Sequence, residues 1–206
     1  NGYNASGLSA VAPQTQEWVT SSNPWVEGDY LTTGTAGSYE LSYSSTNSVK
    51  QDMQAIELLP SSCAATYPPT PTPTTGPCAI AFNAQTSFAP GSSASFNVPF
   101  TIPVGAANPI LLVDLMIPNI TSSVTSATYN GVALTQAVSI QSNGYTEIEF
   151  YMLGTNLNAD GVAHNISISQ STAASDVIGA MSFTNARQTA VGASGSNAPA
   201  SIGPIP

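Results

Sequence analysis

Charge is the property that this 206-residue chain has least of. Charged residues make up 6% of it, whereas soluble domains average about 25%. Lys50 and Arg187 are its only cations, so it has no basic footprint for phosphates and we predict no nucleic-acid partner. A net charge of −9 also disfavours an anionic membrane surface. Because 42% of the residues are hydrophobic, the composition is that of a folding chain rather than a disordered one.

Long apolar runs are missing and histidine is scarce. The longest apolar run, 110–117, is far shorter than the ~18 residues of a membrane span, so we predict no span. The chain begins at Asn1 without a signal-like segment, and we interpret it as a mature secreted chain or a piece of a longer one. With His164 as the single histidine and no nucleophile-elbow motif, the sequence predicts no enzyme and no cofactor.

The two cysteines bracket a Pro/Thr-rich stretch. Cys63 and Cys78 fit a single loop-closing disulfide, which indicates an oxidising, extracytoplasmic location; two free thiols in an exposed loop are the alternative. Pro/Thr tracts favour extended, semi-rigid backbone. The stretch therefore divides the chain into an N-terminal segment, 1–62, a clamped loop, 63–78, and a main segment, 79–206.

Both segments show the alternation of β-strands. The main segment predicts strands at 94–101, 110–117, 127–134, 145–153, 164–169 and 177–183. Asn130-Gly131 within it is a strong hairpin signal. The N-terminal segment predicts strands at 14–20 and 38–44, while 49–59 fits helix and strand spacing equally well. The chain is predicted to be all-β or nearly so.

Several of these segments resemble a family of secreted bacterial and archaeal β-sandwich surface modules. The family pattern SVTYNGVALT is similar to 126–135, EIWYL to 147–153, HTITVT to 163–169, and SADVVAGAVSFTGVDQTTPVGA to 174–193. The resemblance implies an immunoglobulin-like or jelly-roll-type antiparallel β-sandwich.

The back half of such modules, with patterns of the QTQRW, GSVTLTWT and AIAVALKPA types, is similar to 14–18, 37–46 and 53–60. The back half therefore precedes the front half in this chain, and the resemblance predicts a strand at 53–59. We find no counterpart of the strand that usually joins the two halves. Three arrangements fit this order: a permuted module that closes on itself, an exchange of halves between subunits, and one repeat of a longer polypeptide.

A sandwich that lacks a strand leaves backbone unpaired, and exchange of strands with a neighbouring subunit would complete it. Head-to-tail contacts that do not close give a filament. Residues 1–20 are the better donor candidate, because the C-terminal end, 201–206, contains two prolines and would pair poorly as a strand.

Few polar residues suggest chemistry. Glu147 and Glu149 share one strand face, which we interpret as a solvated polar face, and Asp114 interrupts the most apolar strand, where we expect it to be neutralised or turned to an edge. The weak calcium-loop candidates are Asn156, Asn158 and Asp160, whose spacing also suits an ordinary polar turn. The N-glycosylation sequons begin at Asn4, Asn119 and Asn165.

These observations predict a structural subunit of an extracellular filament, pilus-like or cell-surface assembly. Copies of the chain would polymerise head-to-tail by β-strand complementation, and the assembly would serve adhesion or biofilm cohesion. The alternative is a monomeric carbohydrate-binding or adhesive module of a larger secreted protein. We interpret Trp18 and Trp25 as core and loop packing, and stacking on sugars together with Tyr30 is the other interpretation. The predicted partners are thus copies of the same chain, with glycans as the other candidates.

Overall fold

The structure is a computed structural model of the chain, and it describes residues 9–10, 15–19, 27–31, 43–44, 53–64, 75–142, 144–189 and 194–197. Over these residues it consists almost entirely of antiparallel β-strands, with one 3-10 turn at Gly154–Asn156. None of the helical structure in these ranges is long and apolar enough to cross a membrane. The prediction of an all-β chain is confirmed.

The strands form two groups along the chain. The first group precedes the main segment: β1 (Ser9–Ala10), β2 (Thr15–Val19), β3 (Glu27–Tyr30), β4 (Tyr43–Ser44), β5 (Met53–Ile56), β6 (Ser62–Ala64) and β7 (Thr75–Pro77). The second group builds most of the fold: β8 (Ala81–Thr101), β9 (Ile110–Ile117), β10 (Val124–Tyr129), β11 (Val132–Ala133), β12 (Thr135–Ser142), β13 (Tyr145–Leu153), β14 (Ala163–Thr184) and β15 (Ser194–Asn197).

Seven strands of the second group form one antiparallel sheet that folds into two layers. Its order is β11–β10–β14–β9–β13–β12, and β8 also pairs with β14. The long strand β14 serves both layers, because its first part pairs with β10 and its last part with β9, while β8 follows it throughout. The β14–β8 ladder is irregular between Ser169 and Ala174, where the strands pass from one layer to the other. The antiparallel β-sandwich architecture is therefore confirmed.

The main core lies between the two layers and takes alternate side chains from every long strand, as a half-buried strand requires. The first layer contributes Val98, Phe100, Tyr129, Ile166 and Ile168. The second layer contributes Leu111, Val113, Leu115, Ile117, Ile148, Phe150, Met152, Ile178 and Ala180. Tyr129 has no exposed surface, and its hydroxyl donates to the Phe100 carbonyl at 3.3 Å, so its one polar atom is partnered inside the core.

The second layer also buries part of its outer face, by which we mean the face of β9, β13 and the end of β14 turned away from the main core. A smaller cluster forms there around Ile110, Leu112, Phe183 and Ala186, and it includes Tyr30, Ile56 and Leu58 of the N-terminal segment. The Tyr30 ring stacks on Phe82 at 6.0 Å and meets Phe183 edge-on at 5.5 Å. The N-terminal segment thus packs on the sandwich of its own chain.

Backbone pairing anchors this covering segment. The Ser61 N–H donates to the Asn185 carbonyl at 2.7 Å, the Arg187 N–H donates to the Leu59 carbonyl at 2.6 Å, and β5 pairs with β15. Of the predicted donor, 1–20, the structure describes β1 and β2, which pair with β4 and β3 of the same chain.

Several predicted elements are confirmed. Strands occupy 110–117 and 145–153, and Asn130 and Gly131 adopt positive φ angles of 49° and 78° in the turn between β10 and β11. The ambiguous stretch 53–59 begins with a strand, β5, because its apolar side chains pack on a sheet face rather than on a helical stripe.

Other predictions need correction. The strands expected at 164–169 and 177–183 are one strand, β14, because both stretches pair with β8 across the layer crossing. The strand predicted at 94–101 is the last part of the much longer β8. We did not predict β12, which pairs with β13 over its whole length.

Candidate functional site

The β8 edge is the longest strand edge in the described part of the chain; we use this name for the side of Ala81–Thr101 that faces away from β14. In the sheet, β8 pairs with β14 alone, over a register from Ala81 to Thr101. The strand contains no Asp, Glu, Lys, Arg or His. Proteins commonly protect an open edge with charged side chains, and β8 has none.

Pro99 shows how the β8 edge is oriented. Pro99 lies opposite Asn165 in the ladder, and proline within a sheet is found where its missing N–H would face solvent. Residues two apart on a strand direct their backbone N–H to the same side. Because the register is regular from Ser95 to Thr101, the N–H groups of Ser95 and Asn97 face outward with the Pro99 nitrogen. The Ser93 hydroxyl accepts from the Ser95 N–H at 3.3 Å and donates to the Ser95 carbonyl at 2.7 Å. Asn97 is therefore the position of this stretch where the edge offers a backbone N–H with no partner among the described residues.

A row of side chains crosses the outer face of the second layer. The ladders set Val138 opposite Glu149, Glu149 opposite Asp114, and Asp114 opposite Gly179. Directly opposed side chains in an antiparallel pair have Cβ atoms about 4.5–5.5 Å apart, so Asp114 and Glu149 form a close carboxyl pair. Gly179 contributes no side chain on the other flank. Glu147, two residues along β13 and only 7% exposed, extends the acidic surface.

This environment raises the pKa of both members of the carboxyl pair. Burial raises the pKa of Asp114 to about 7, although a backbone hydrogen bond from Leu115 opposes the shift. Burial, followed by the charge of Asp114, raises the pKa of Glu149 to about 8. Glu147 and Glu149 do share one strand face, but the expectation of a solvated face was wrong. Asp114 lies on a central strand rather than at an edge, because β9 pairs on both sides.

Strand β5 is anchored on both sides of the carboxyl pair. The Gln54 side-chain amide donates to the Glu147 carbonyl at 2.7 Å, one row below the pair. Ile56 belongs to the apolar cluster that contains Leu112 and Tyr151, one row above it. Because residues 54 and 56 of a strand point to the same side, both contacts place β5 on the outer face next to the carboxyl pair. The Oε1 atom of Gln54 is buried there without a hydrogen-bond partner.

A second buried carboxyl group occupies the crossing of β14 between layers. Asp176 is 1% exposed, and its Oδ2 accepts a 2.6 Å hydrogen bond from the Gln170 amide. The same amide donates to the Ser93 carbonyl at 2.8 Å, and the Ser122 hydroxyl donates to Gln170 Oε1 at 3.1 Å. Burial raises the pKa of Asp176 to about 6, against the effect of the Gln170 bond. The sequence did not predict this network, because no local motif indicates it.

The predicted calcium-loop residues lie at one end of the sandwich. Asp160 accepts hydrogen bonds from the Val162 N–H at 2.9 Å and meets His164 Nε2 at 3.0 Å, and these contacts hold its pKa below the usual range. Asn158 lies 3.5 Å from the same histidine nitrogen, and Asn156 ends the 3-10 turn. Across the described ranges, no group of three or more His, Cys, Asp or Glu side chains is arranged to hold a metal ion.

The sequons lie in different surroundings. Asn119 is in the loop after β9, where its Oδ1 accepts hydrogen bonds from the backbone N–H and the hydroxyl of Thr121, at 2.9 and 2.7 Å. Asn165 lies exposed within β14, and Asn4 is outside the described residues. Glycosylation at all three stays a prediction.

The cysteines lie beside a short hairpin. Cys78 is buried and disulfide-bonded, and Cys63 is the only other cysteine of the chain. Strands β6 and β7 pair with Cys63 opposite Gly76, and the Cys78 N–H donates to the Ser61 carbonyl at 2.9 Å, so the two backbones run side by side. The tract between β6 and β7, 65–74, is outside the described residues.

Of the three aromatic residues considered for sugar stacking, the structure describes the side chain of Tyr30 alone. Tyr30 is engaged with Phe82 and Phe183 in the outer-face cluster. Trp25 and the side chain of Trp18 lie outside the described part. The described residues therefore offer no test of the predicted glycan contact.

The comparisons with known proteins leave the family open. The resemblance to secreted β-sandwich surface modules stays a prediction, carried by the segments quoted above. No protein-family model, no curated protein and no solved structure matches this chain.

Proposed function

We propose that this protein is a structural subunit of an extracellular filament or cell-surface assembly that polymerises by adding a strand of one subunit to the β8 edge of the next. The observation that carries the proposal is the β8 edge itself, a 21-residue strand without charge that pairs on one side only in the described sheet. Long edges without charged side chains are templates for strand addition. Pro90, Pro99 and the register shifts of the β8–β14 ladder limit where a strand can pair, so the contact would lie at the regular stretch around Asn97.

The contact would be heterologous, because a donor strand and an acceptor edge are different surfaces. Such contacts extend into filaments unless the rotation between subunits closes a ring. Main-chain hydrogen bonds supply the affinity, and exposed apolar side chains beside the edge, such as Phe88 at 43% exposure, supply specificity. The disulfide of Cys78 supports the extracytoplasmic location that this function requires. The assembly would serve adhesion or biofilm cohesion.

The test places a charge on the edge without disturbing the core. Asn97 is exposed and lies between Ser95 and Pro99 on the stretch that offers outward N–H groups. The substitution Asn97→Lys introduces the side chain that natural edges use against pairing. Electron microscopy of the purified full chain should show filaments for the original sequence and dispersed subunits for the variant.

The matched control carries the same charge away from the edge. Thr155→Lys lies in the exposed 3-10 turn and should assemble as the original does. Circular dichroism should give the same folded spectrum for both variants. If Asn97→Lys assembles normally, or if the original chain stays monomeric under all conditions, the β8 edge is not the acceptor. A stable monomer retained on polysaccharide would favour the glycan-binding alternative.

A further inference from the structure

The carboxyl pair, Asp114 and Glu149, has an arrangement that does not follow from filament assembly. Two carboxyl groups face each other across the central ladder of the second layer. Next to them β5 is anchored by the hydrogen bond from Gln54 to the Glu147 carbonyl and by Ile56 in the outer-face cluster. Two charges this close would repel each other, and because both side chains are half-buried, their hydration is reduced. The covering strand is therefore compatible with the pair only while at least one carboxyl group holds a proton.

We propose that the carboxyl pair is a pH-sensitive clasp for the N-terminal segment: protonated, it allows β5 to pack on the outer face, and ionised, it favours detachment of β5 from the sheet. Detachment would free the segment 53–58 and uncover the apolar cluster around Ile110 and Leu112. The clasp acts within one chain and does not depend on the proposed assembly.

The other titratable groups around the pair do not neutralise it. On the same face of β13 lie Glu147, a third carboxyl group, and Tyr145 and Tyr151. The facing residues of β14 and all residues of β5, β8, β12 and β15 are uncharged and not titratable. Glu57 follows β5 and is exposed. Within the described ranges, the neighbours therefore add negative charge or none.

The direction of the pH effect follows from proton linkage. A carboxyl group whose pKa is higher under the closed β5 than in the open state binds its proton more tightly in the closed state. Closure is then fully favoured below the ordinary pKa and is weakened as the pH rises toward the raised pKa. With pKa values of about 7 and about 8 for Asp114 and Glu149, the loss spans roughly pH 4 to 8 and levels off above it. Each carboxyl group can change the open population by up to about tenfold per pH unit in this window.

Hydrogen exchange of the full chain measures the open state directly. We expect protection of the β5 amides, corrected for the intrinsic pH dependence of exchange, to fall at least about tenfold between pH 5 and pH 8. Amides of the core strand β9 should keep their protection over the same range. The double substitution of Asp114→Asn with Glu149→Gln should remove the pH dependence, since both side chains keep their shape and lose their charge.

The control substitution Glu57→Gln removes an exposed carboxyl group from the same segment and leaves Asp114 and Glu149 in place, so the pH profile should stay that of the wild type. Carbon-13 titration of the side-chain carboxyl groups in the wild-type chain gives a second measurement if the double variant does not fold. The proposal is overturned if Asp114 and Glu149 both titrate near their ordinary values. It is also overturned if β5 protection is constant from pH 5 to 8, or if β9 loses protection together with β5.

Discussion

The Asp176–Gln170 network allows a quantitative prediction about stability. The substitution Gln170→Ala deletes a side-chain amide at the point where β14 passes from one layer to the other. The amide nitrogen donates to Asp176 and to the Ser93 carbonyl, and the amide oxygen accepts from Ser122. Asp176 and the Ser93 carbonyl lose this donor, whereas the Ser122 hydroxyl keeps a second acceptor, the Thr172 carbonyl at 3.1 Å. Because Asp176 is 1% exposed, water cannot replace the lost hydrogen bond without a local opening of β14.

The cost can be assembled from the separate contacts. A hydrogen bond to a charged group contributes about 1.5–3 kcal/mol, and each neutral one contributes about 1 kcal/mol. Counting the bonds to Asp176 and to the Ser93 carbonyl, we expect Gln170→Ala to lower the free energy of unfolding by about 2.5–4 kcal/mol at pH 8. The cost should be smaller at pH 4–5, because a protonated Asp176 needs its partner less.

Proton linkage gives the sign of this pH dependence. Burial already raises the pKa of Asp176 to about 6 and the Gln170 bond opposes the shift, so removing the bond raises the pKa further. A raised carboxyl pKa in the folded state means that stability is lost as the pH rises above the unfolded value. The variant should therefore lose about 1 kcal/mol more at pH 8 than at pH 5, on the scale of about 1.4 kcal/mol per pKa unit.

Urea denaturation at the two pH values measures these differences. Gln136→Ala is the matched control, because Gln136 is an exposed glutamine on β12 and its loss should change stability by less than about 0.5 kcal/mol. A double-mutant cycle with Asp176→Asn isolates the direct coupling, which we expect to exceed about 1 kcal/mol. A cost below 1 kcal/mol for Gln170→Ala, or one that does not depend on pH, would refute the reasoning.

Two further predictions concern the first layer. Tyr129→Phe should lower the free energy of unfolding by about 1 kcal/mol, since it removes the hydroxyl that donates to the Phe100 carbonyl but leaves the buried ring in place. Denaturation should show this loss without a change in the slope of the transition. Gly131→Ala should cost about 1–2 kcal/mol, because φ is +78° there and a Cβ meets no atom within 4 Å, so backbone strain is the whole effect. Thermal unfolding should be measured for Gly131→Ala and for Asn130→Gly, a variant of the same turn. The comparison separates the effect of backbone strain from the effect of lost side-chain contacts.

Local patterns were sufficient to predict strands where one chain segment decides its own environment. The apolar run 110–117 could only be a doubly buried strand, and Asn130-Gly131 specified a tight turn because both residues tolerate positive φ. The predicted β5 also depended on resemblance, since its spacing alone fits a helix. Strand β12 was missed because its mixed polar and apolar residues carry a weak pattern at an edge.

The candidate sites were harder to predict, because each depends on register between distant segments. Asp114 and Glu149 are 35 positions apart, and only the β9–β13 ladder makes them neighbours. Glu149 alternates with Ile148 and Phe150 as a solvated residue would, but tertiary burial and the charge of Asp114 change its environment. No signal within β13 distinguishes these two cases.

By itself, the sequence determined that this chain folds as antiparallel strands and that it has very few charged residues. Composition and the alternation of apolar and polar residues are local properties. They can therefore be interpreted without knowing which strands pair with each other. The tertiary structure decided that 164–169 and 177–183 are one strand and that β8 is a long edge. It also buries the carboxyl groups of Glu147 and Asp176 and half-buries those of Asp114 and Glu149. Pairing and burial are properties of segments that meet only after folding, and no local pattern encodes which strand lies beside which.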